Sequence, residues 1–184
     1  MTVTPIPRGE VVPADDFGPM VPRLFTHDAW RLELLDEYDD PVTRERVARF
    51  KAGEPIDRAP REWWLTMARE VTAVGGSMGR VHVLGPLNDY LRYELACYGQ
   101  NAEAGEDVRV MSRAAAAGLD LPEFDFWLFD GHTAAVMYFG ERGSFVRAEL
   151  VTDAGFTAQC RRWRDTAMSN ATSIRDYQTG RTAA

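Results

Sequence analysis

The chain has 184 residues, 45% of them hydrophobic and 27% charged, with 21 basic side chains against 28 acidic ones and a net charge of -7. This composition is that of a folded globular chain and excludes wholesale disorder; at this size one core burying roughly 70% of the unfolded surface is within reach. The basic face that a phosphate-backbone binder needs is missing, so direct nucleic-acid binding is not expected despite the short run Arg161, Arg162, Arg164.

Pro7, Pro13, Pro19 and Pro22 crowd residues 1–22, which reads as an extended, Pro-rich N-terminal arm. Phe25 to Trp30 reads as a turn or short helical segment, and Arg31 to Leu35 alternates like a strand. Thr43 is placed to cap a helix through Phe50, and a stronger helix over 61–74 carries Trp64, Met67, Ala68, Val71 and Val74 on one face. Gly75 and Gly76 stop it before a short strand at 81–84. A further helix, capped by Asn88 or Asp89, runs to Gly99, and a strand follows from Asp107 to Met111. Three strands, Phe124 to Phe129, Ala134 to Phe139 and Phe145 to Val151, are joined at Asp130-Gly131 and Arg142-Gly143, which predicts an antiparallel meander. The last helix carries Phe156, Cys160, Trp163, Ala167, Ala171 and Ile174 on one side, with Asp153 as its cap.

The order predicts an α/β or α+β fold: a mixed sheet of about six strands with an antiparallel C-terminal meander, packed by helices. One α/β domain is expected over 23–175, with a flexible tail at 176–184. Cys97 and Cys160 fall on apolar helix positions and read as buried free thiols, which fits a reducing compartment. The N-terminal residues lack a leader pattern and no apolar run reaches membrane length, so a cytoplasmic protein without membrane association is expected.

Several strands mix charge with apolar residues. Arg31 and Glu33 share one parity, Arg80 and His82 another, and Arg147 and Glu149 a third. A fully buried parallel strand would be apolar on both sides, so part of one sheet face is expected to lie open or to line a polar pocket. Asp125, Trp127 and Phe129 face away from Phe126. A buried Asp125 needs a donor, and Arg109 or Arg147 on nearby strands is the expected one. The candidate ligand-binding set is therefore Arg31, Arg80, Arg92, Arg109 and Arg147 as donors, Glu94, Asp125 and Glu149 as orienting carboxylates, His82 beside Arg80, and Trp30, Tyr93 and Trp127 as walls.

Nucleophile-elbow, phosphate-loop, zinc-protease and dinucleotide motifs are absent. The glycine-rich GGSMG at 75–79 ends a helix, whereas phosphate loops open one. His27, His82 and His132 lack ligand spacing, so neither a metal nor a cofactor is expected.

The segments FxxxAWRLELLDEYD (25–39), RVHVLGPLNDYLRYELA (80–96), AGEDVRVM (104–111), AGLDLPEFDFWLFDG (117–131) and AELVTDAGFTAQCRRWRDTA (148–167) together resemble the DUF6879 family of actinobacterial proteins. That resemblance implies a pattern carried here by Trp30, Arg31, Arg80, Pro86, Tyr90, Arg92, Glu94, Glu106, Asp107, Arg109, Asp125, Phe126, Trp127, Phe129, Glu149 and Trp163. It implies no catalytic residue. Members are often encoded near helix-turn-helix regulators and very small companion proteins, which implies a regulatory role with such a partner.

Three readings follow. The leading one is a noncatalytic regulatory module that binds a small polar ligand or a regulator. The second is a small biosynthetic enzyme whose His82, Arg92, Glu94 and Asp125 meet in one pocket for acid-base chemistry. The third is a structural homodimer subunit.

Overall fold

A computed structural model describes residues 5–182. In chain order the elements are β1 (Glu10–Pro13), α1 (Ala14–Met20), β2 (Asp28–Glu33), α2 (Pro41–Lys51), α3 (Glu62–Ala73), β3 (Ser77–Leu84), α4 (Asp89–Glu103) and β4 (Asp107–Ser112). They continue with α5 (Arg113–Ala116), β5 (Phe126–Phe129), β6 (Thr133–Phe139), β7 (Phe145–Val151), α6 (Ala154–Asn170), β8 (Thr172–Ser173) and α7 (Ile174–Thr182). The strands form one eight-stranded sheet in the order β1-β7-β6-β5-β2-β3-β4-β8. β2, β3 and β4 run parallel, linked by helical crossovers, while β5, β6 and β7 form the antiparallel meander expected from the two glycine turns.

The mixed α/β architecture agrees with the sequence reading, and the count of about six strands is corrected to eight. The additional strands lie at the two edges. β1 pairs with β7 through Val11↔Glu149 and Val12↔Ala148. β8 contributes only Arg109↔Ser173 and Val110↔Thr172. Residues 10–22, expected as part of an extended arm, are therefore a strand, a helix and the start of a 3-10 turn that ends at Arg23. Two of their prolines sit where a missing N–H is tolerable, Pro13 at the end of an edge strand and Pro22 in the first positions of the 3-10 turn, while Pro19 lies inside α1 one residue from its end. Residues 176–182, expected to be a flexible tail, continue α7; Ile174 at its start is buried.

Local chemistry sets most boundaries. Asp40 caps α2 by accepting from the Thr43 N–H, with Pro41 in the first turn, so the cap is Asp40 and not Thr43 itself. Asn88 and Asp153 cap α4 and α6 in the same way. Helix α4 runs past Gly99 to Glu103 because tertiary packing overrides a helix-interior glycine penalty of about 1 kcal/mol. Gln178 of α7 lies against Gly99 and donates to the Leu95 carbonyl. β2 begins at Asp28, earlier than the strand expected from Arg31, because Asp130 accepts the N–H groups of Thr26, His27 and Asp28 at 2.7–2.9 Å.

Alternation along the strands distributes the core. On one face α6 packs Phe156, Cys160 and Trp163 against Trp30, Leu32, Phe126 and Val136. Each such side chain removed from water contributes about 1.5–3 kcal/mol. The other face carries two separate apolar patches. Beneath α1 and α3, Phe17, Leu65 and Ala68 meet Ala29, Met78 and Phe129. Beneath α4 and α7, Leu91, Leu95 and Ile174 meet Val108 and Val110. Between those patches the sheet is polar, and that gap holds the candidate site. Among the described residues no helix is long and apolar enough to cross a membrane.

Candidate functional site

Strand register builds the floor. Trp127 of β5 is the lateral partner of Arg31 in β2, and Arg31 is the lateral partner of Arg80 in β3. These side chains therefore form one row across the line where the parallel and antiparallel halves of the sheet meet. Above the row is a cleft of about 480 Å³. Phe17 and Gly18 of α1 close one side, Arg46 of α2 and Trp63 and Trp64 of α3 another, and Tyr93 and Glu94 of α4 a third. A second lobe of about 280 Å³ shares Arg31, Glu94, Trp127 and Met137 with the first and extends to Glu33, Tyr38, Tyr90 and Asp125.

Arg31 is held between two indoles, its guanidinium carbon 4.9 Å from the Trp127 ring centre and 5.5 Å from that of Trp64. Its Nη2 lies 3.2 Å from Glu33 Oε1. Its Nε is buried and has no hydrogen-bond partner, and the same is true of Arg61 Nη1. Arg61 is otherwise fixed by donating to Asn101 Oδ1 at 2.6 Å.

Arg80 is more fully satisfied. Its Nε donates to Glu106 Oε1 at 2.6 Å, and its Nη1 lies 3.4 Å from Glu33 Oε2. Glu106 also accepts from Trp64 Nε1 at 2.9 Å and Asn101 Nδ2 at 2.6 Å. Burial opposes charge on Glu106, but Arg80 and these donors hold its carboxyl below the usual range, so it is ionised. Arg80 and Glu106 thus form a scaffold beneath the cleft.

The other carboxyls shift upward. Burial, reinforced by Glu106, pushes Glu33 up to about 8. Burial likewise raises Asp125 to about 7, against the hydrogen bond it accepts from the Tyr38 hydroxyl. Glu94 is raised by burial, with Arg61 opposing. The proton on Glu33 has an independent geometric reason. His82 is neutral, since burial lowers its pKa to about 4. Its Nε2 must donate to the Leu35 carbonyl at 2.8 Å, leaving Nδ1 to accept from the Tyr98 hydroxyl at 2.8 Å. Tyr98 also lies 3.2 Å from Glu33 Oε2. One phenolic proton cannot serve two acceptors, and a proton on Glu33 satisfies both.

Of the sequence-predicted set, Arg31, Arg80, Tyr93, Glu94, Asp125 and Trp127 line the two lobes. The other six lie elsewhere. Trp30 belongs to the core under α6. His82 is fully enclosed with both ring nitrogens bonded. Arg92 is exposed on α4. Arg109 bonds Asp107 and the Met168 carbonyl. Arg147 stacks over Tyr138 at 4.0 Å, and Glu149 accepts from Tyr138 and from the Gly9 N–H. Tyr138 packs on the α6 side, so this group lies on the opposite face from the cleft. The expected arginine partner of Asp125 is corrected: its donors are the Leu34 N–H and the Tyr38 hydroxyl.

Sequence reasoning passed over Arg46, Arg61, Trp64 and Tyr38 as site residues, and Tyr90 entered only through the family pattern. The adjacent rings Trp63 and Trp64, one of them exposed, were the available signal, because a helix face cannot bury both. Among the described residues no group of three His, Cys, Asp or Glu side chains is arranged to hold a metal ion.

A family model described as "Domain of unknown function (DUF6879)" matches residues 15–179. No curated protein matches the chain.

Proposed function

The chain belongs to the DUF6879 family, and from that premise we propose that it is a noncatalytic regulatory module whose cleft binds a small polar ligand. One observation carries the reading: Arg31 Nε and Arg61 Nη1 are buried donors with no partner, on residues that line the same cleft. A buried donor left unpaired costs about 1–3 kcal/mol, so the two guanidiniums that line the cleft hold hydrogen-bonding capacity that the protein itself does not use. Aromatic walls with a few converging polar groups are the usual make-up of a small-molecule site.

The acid-base reading has less support. It needs His82 and Arg92 beside Glu94 and Asp125, and the first is sealed in the core while the second is on the surface. A helix-turn-helix regulator or small companion protein as downstream partner is the part of the proposal that family context carries. Trp63, 57% exposed at the cleft rim, is a surface through which occupancy is communicated to it.

The test is a thermal-shift screen of the full chain against a metabolite library. The expected result is at least one compound that raises Tm and whose affinity falls about tenfold or more in Arg31→Met, consistent with losing a hydrogen bond to a charged group. Arg61→Leu serves as a second variant should Arg31→Met fold poorly. A screen with no stabilising compound overturns the proposal.

A further inference from the structure

The two lobes differ in charge, and the difference names a ligand class. Resting on the binding function proposed above, we propose that the ligand is a zwitterion, with its anionic group against Arg31 and Arg61 in the larger lobe and its ammonium group beside Glu94 and Asp125 in the smaller one.

The larger lobe presents Arg31, Arg46 and Arg61, and of these Arg46 forms no hydrogen bond or ion pair among the described residues. The smaller lobe has a different lining. Arg31 enters it, but Glu33, Glu94 and Asp125 face it from three elements, β2, α4 and the residue before β5. Glu94 accepts no hydrogen bond and forms no ion pair among the described residues, although it lines both lobes. A simple anion leaves Glu94 unpaired and meets the carboxyls as like charges or as desolvated acids. A simple cation leaves Arg31 Nε and Arg61 Nη1 unpaired. A molecule carrying both signs meets the arginines of the larger lobe and the one unpaired carboxyl, Glu94, of the smaller.

The flanking surfaces fit the same solution. Tyr38 and Tyr90, whose ring centres are 6.2 Å apart, also line the acidic lobe, and an aromatic lining favours an ammonium group. Trp63, Trp64 and Phe145 line the larger lobe and suit an apolar or aromatic body. Free amino acids with a large side chain are the simplest molecules of this type.

The experiment is isothermal titration of the full chain with L-phenylalanine, L-tyrosine and L-tryptophan, each beside its decarboxylated amine and its deaminated acid. The expected result is that at least one zwitterion binds about tenfold or more tightly than both its amine and its acid. Glu94→Gln is expected to weaken that zwitterion by a similar factor, while the acid alone, relieved of a like charge in the shared lining, binds no more weakly than before. Equal binding of a zwitterion and its acid, or of a zwitterion and its amine, overturns the inference but leaves a small-molecule site in place. So does failure of all three zwitterions when the metabolite screen yields other compounds. Failure of these probes together with an empty screen overturns both readings.

Discussion

Glu106 illustrates how one side chain serves several elements. Its carboxylate, just before β4, joins Arg80 on β3, Trp64 on α3 and Asn101 on α4. Glu106→Gln leaves the buried Arg80 with only the more distant Glu33, and breaking such a pair destabilises by about 3–5 kcal/mol. Urea unfolding of the variant checks this, and a midpoint matching the parent's would show that Arg80 needs no carboxylate there. Trp63 is the contrasting case. Being 57% exposed, Trp63→Ala is expected to change stability by less than about 0.5 kcal/mol, read by the same unfolding curve.

The elements were legible in the sequence where they carried their own pattern. The glycine turns at 131 and 143, both at positive φ, announced the meander, and the apolar face of α6 announced the last helix. β1 and β8 were not legible because neither has an internal pattern: β1 is four residues ending in proline, and β8 is two. Their pairing is decided by distant partners, Glu149 and Arg109 among them. The site was half legible for the same reason. Strand parity marked Arg31, Arg80, Asp125 and Trp127, but parity cannot say which of two faces is covered, and so Arg147 and Glu149 were grouped with them. Gly9 shows how tightly β1 docks: a Cβ there would meet the Leu150 carbonyl oxygen at 2.0 Å. Gly9→Ala is therefore expected to weaken this edge by about 1–3 kcal/mol, the usual range for overpacking. Hydrogen exchange faster at Val12, with the α6 core unchanged, is the expected readout; unchanged protection would show that the edge is not set by this contact.

At the scale of the whole molecule, buried acids and one buried imidazole set opposing slopes in stability against pH. A carboxyl whose folded pKa is raised binds its proton more tightly than the unfolded chain does. Stability therefore falls as pH rises from the ordinary carboxyl range through about 7 for Asp125 and about 8 for Glu33. His82, lowered to about 4, works the other way and adds stability as pH rises from there to its ordinary value of 6.5. Two carboxyls against one imidazole make the net slope negative between the ordinary carboxyl range and 6.5, and from 6.5 to about 8 nothing among these groups opposes it. Chemical unfolding across pH 5 to 8 is expected to show this decline, and Glu33→Gln is expected to flatten it; a rising curve would contradict the assignment.

The pairing of β1 with β7 also orders events in time. The Gly9 N–H and the Glu149 carboxylate that receives it are 140 positions apart. During synthesis the stretch that becomes one wall of the cleft emerges early and waits for a docking strand made near the end. Closing so long a loop is slow compared with forming local helices. A nascent chain stalled before residue 145 therefore lacks the strand on which β1 docks, and the α1 wall of the hollow has no edge to follow.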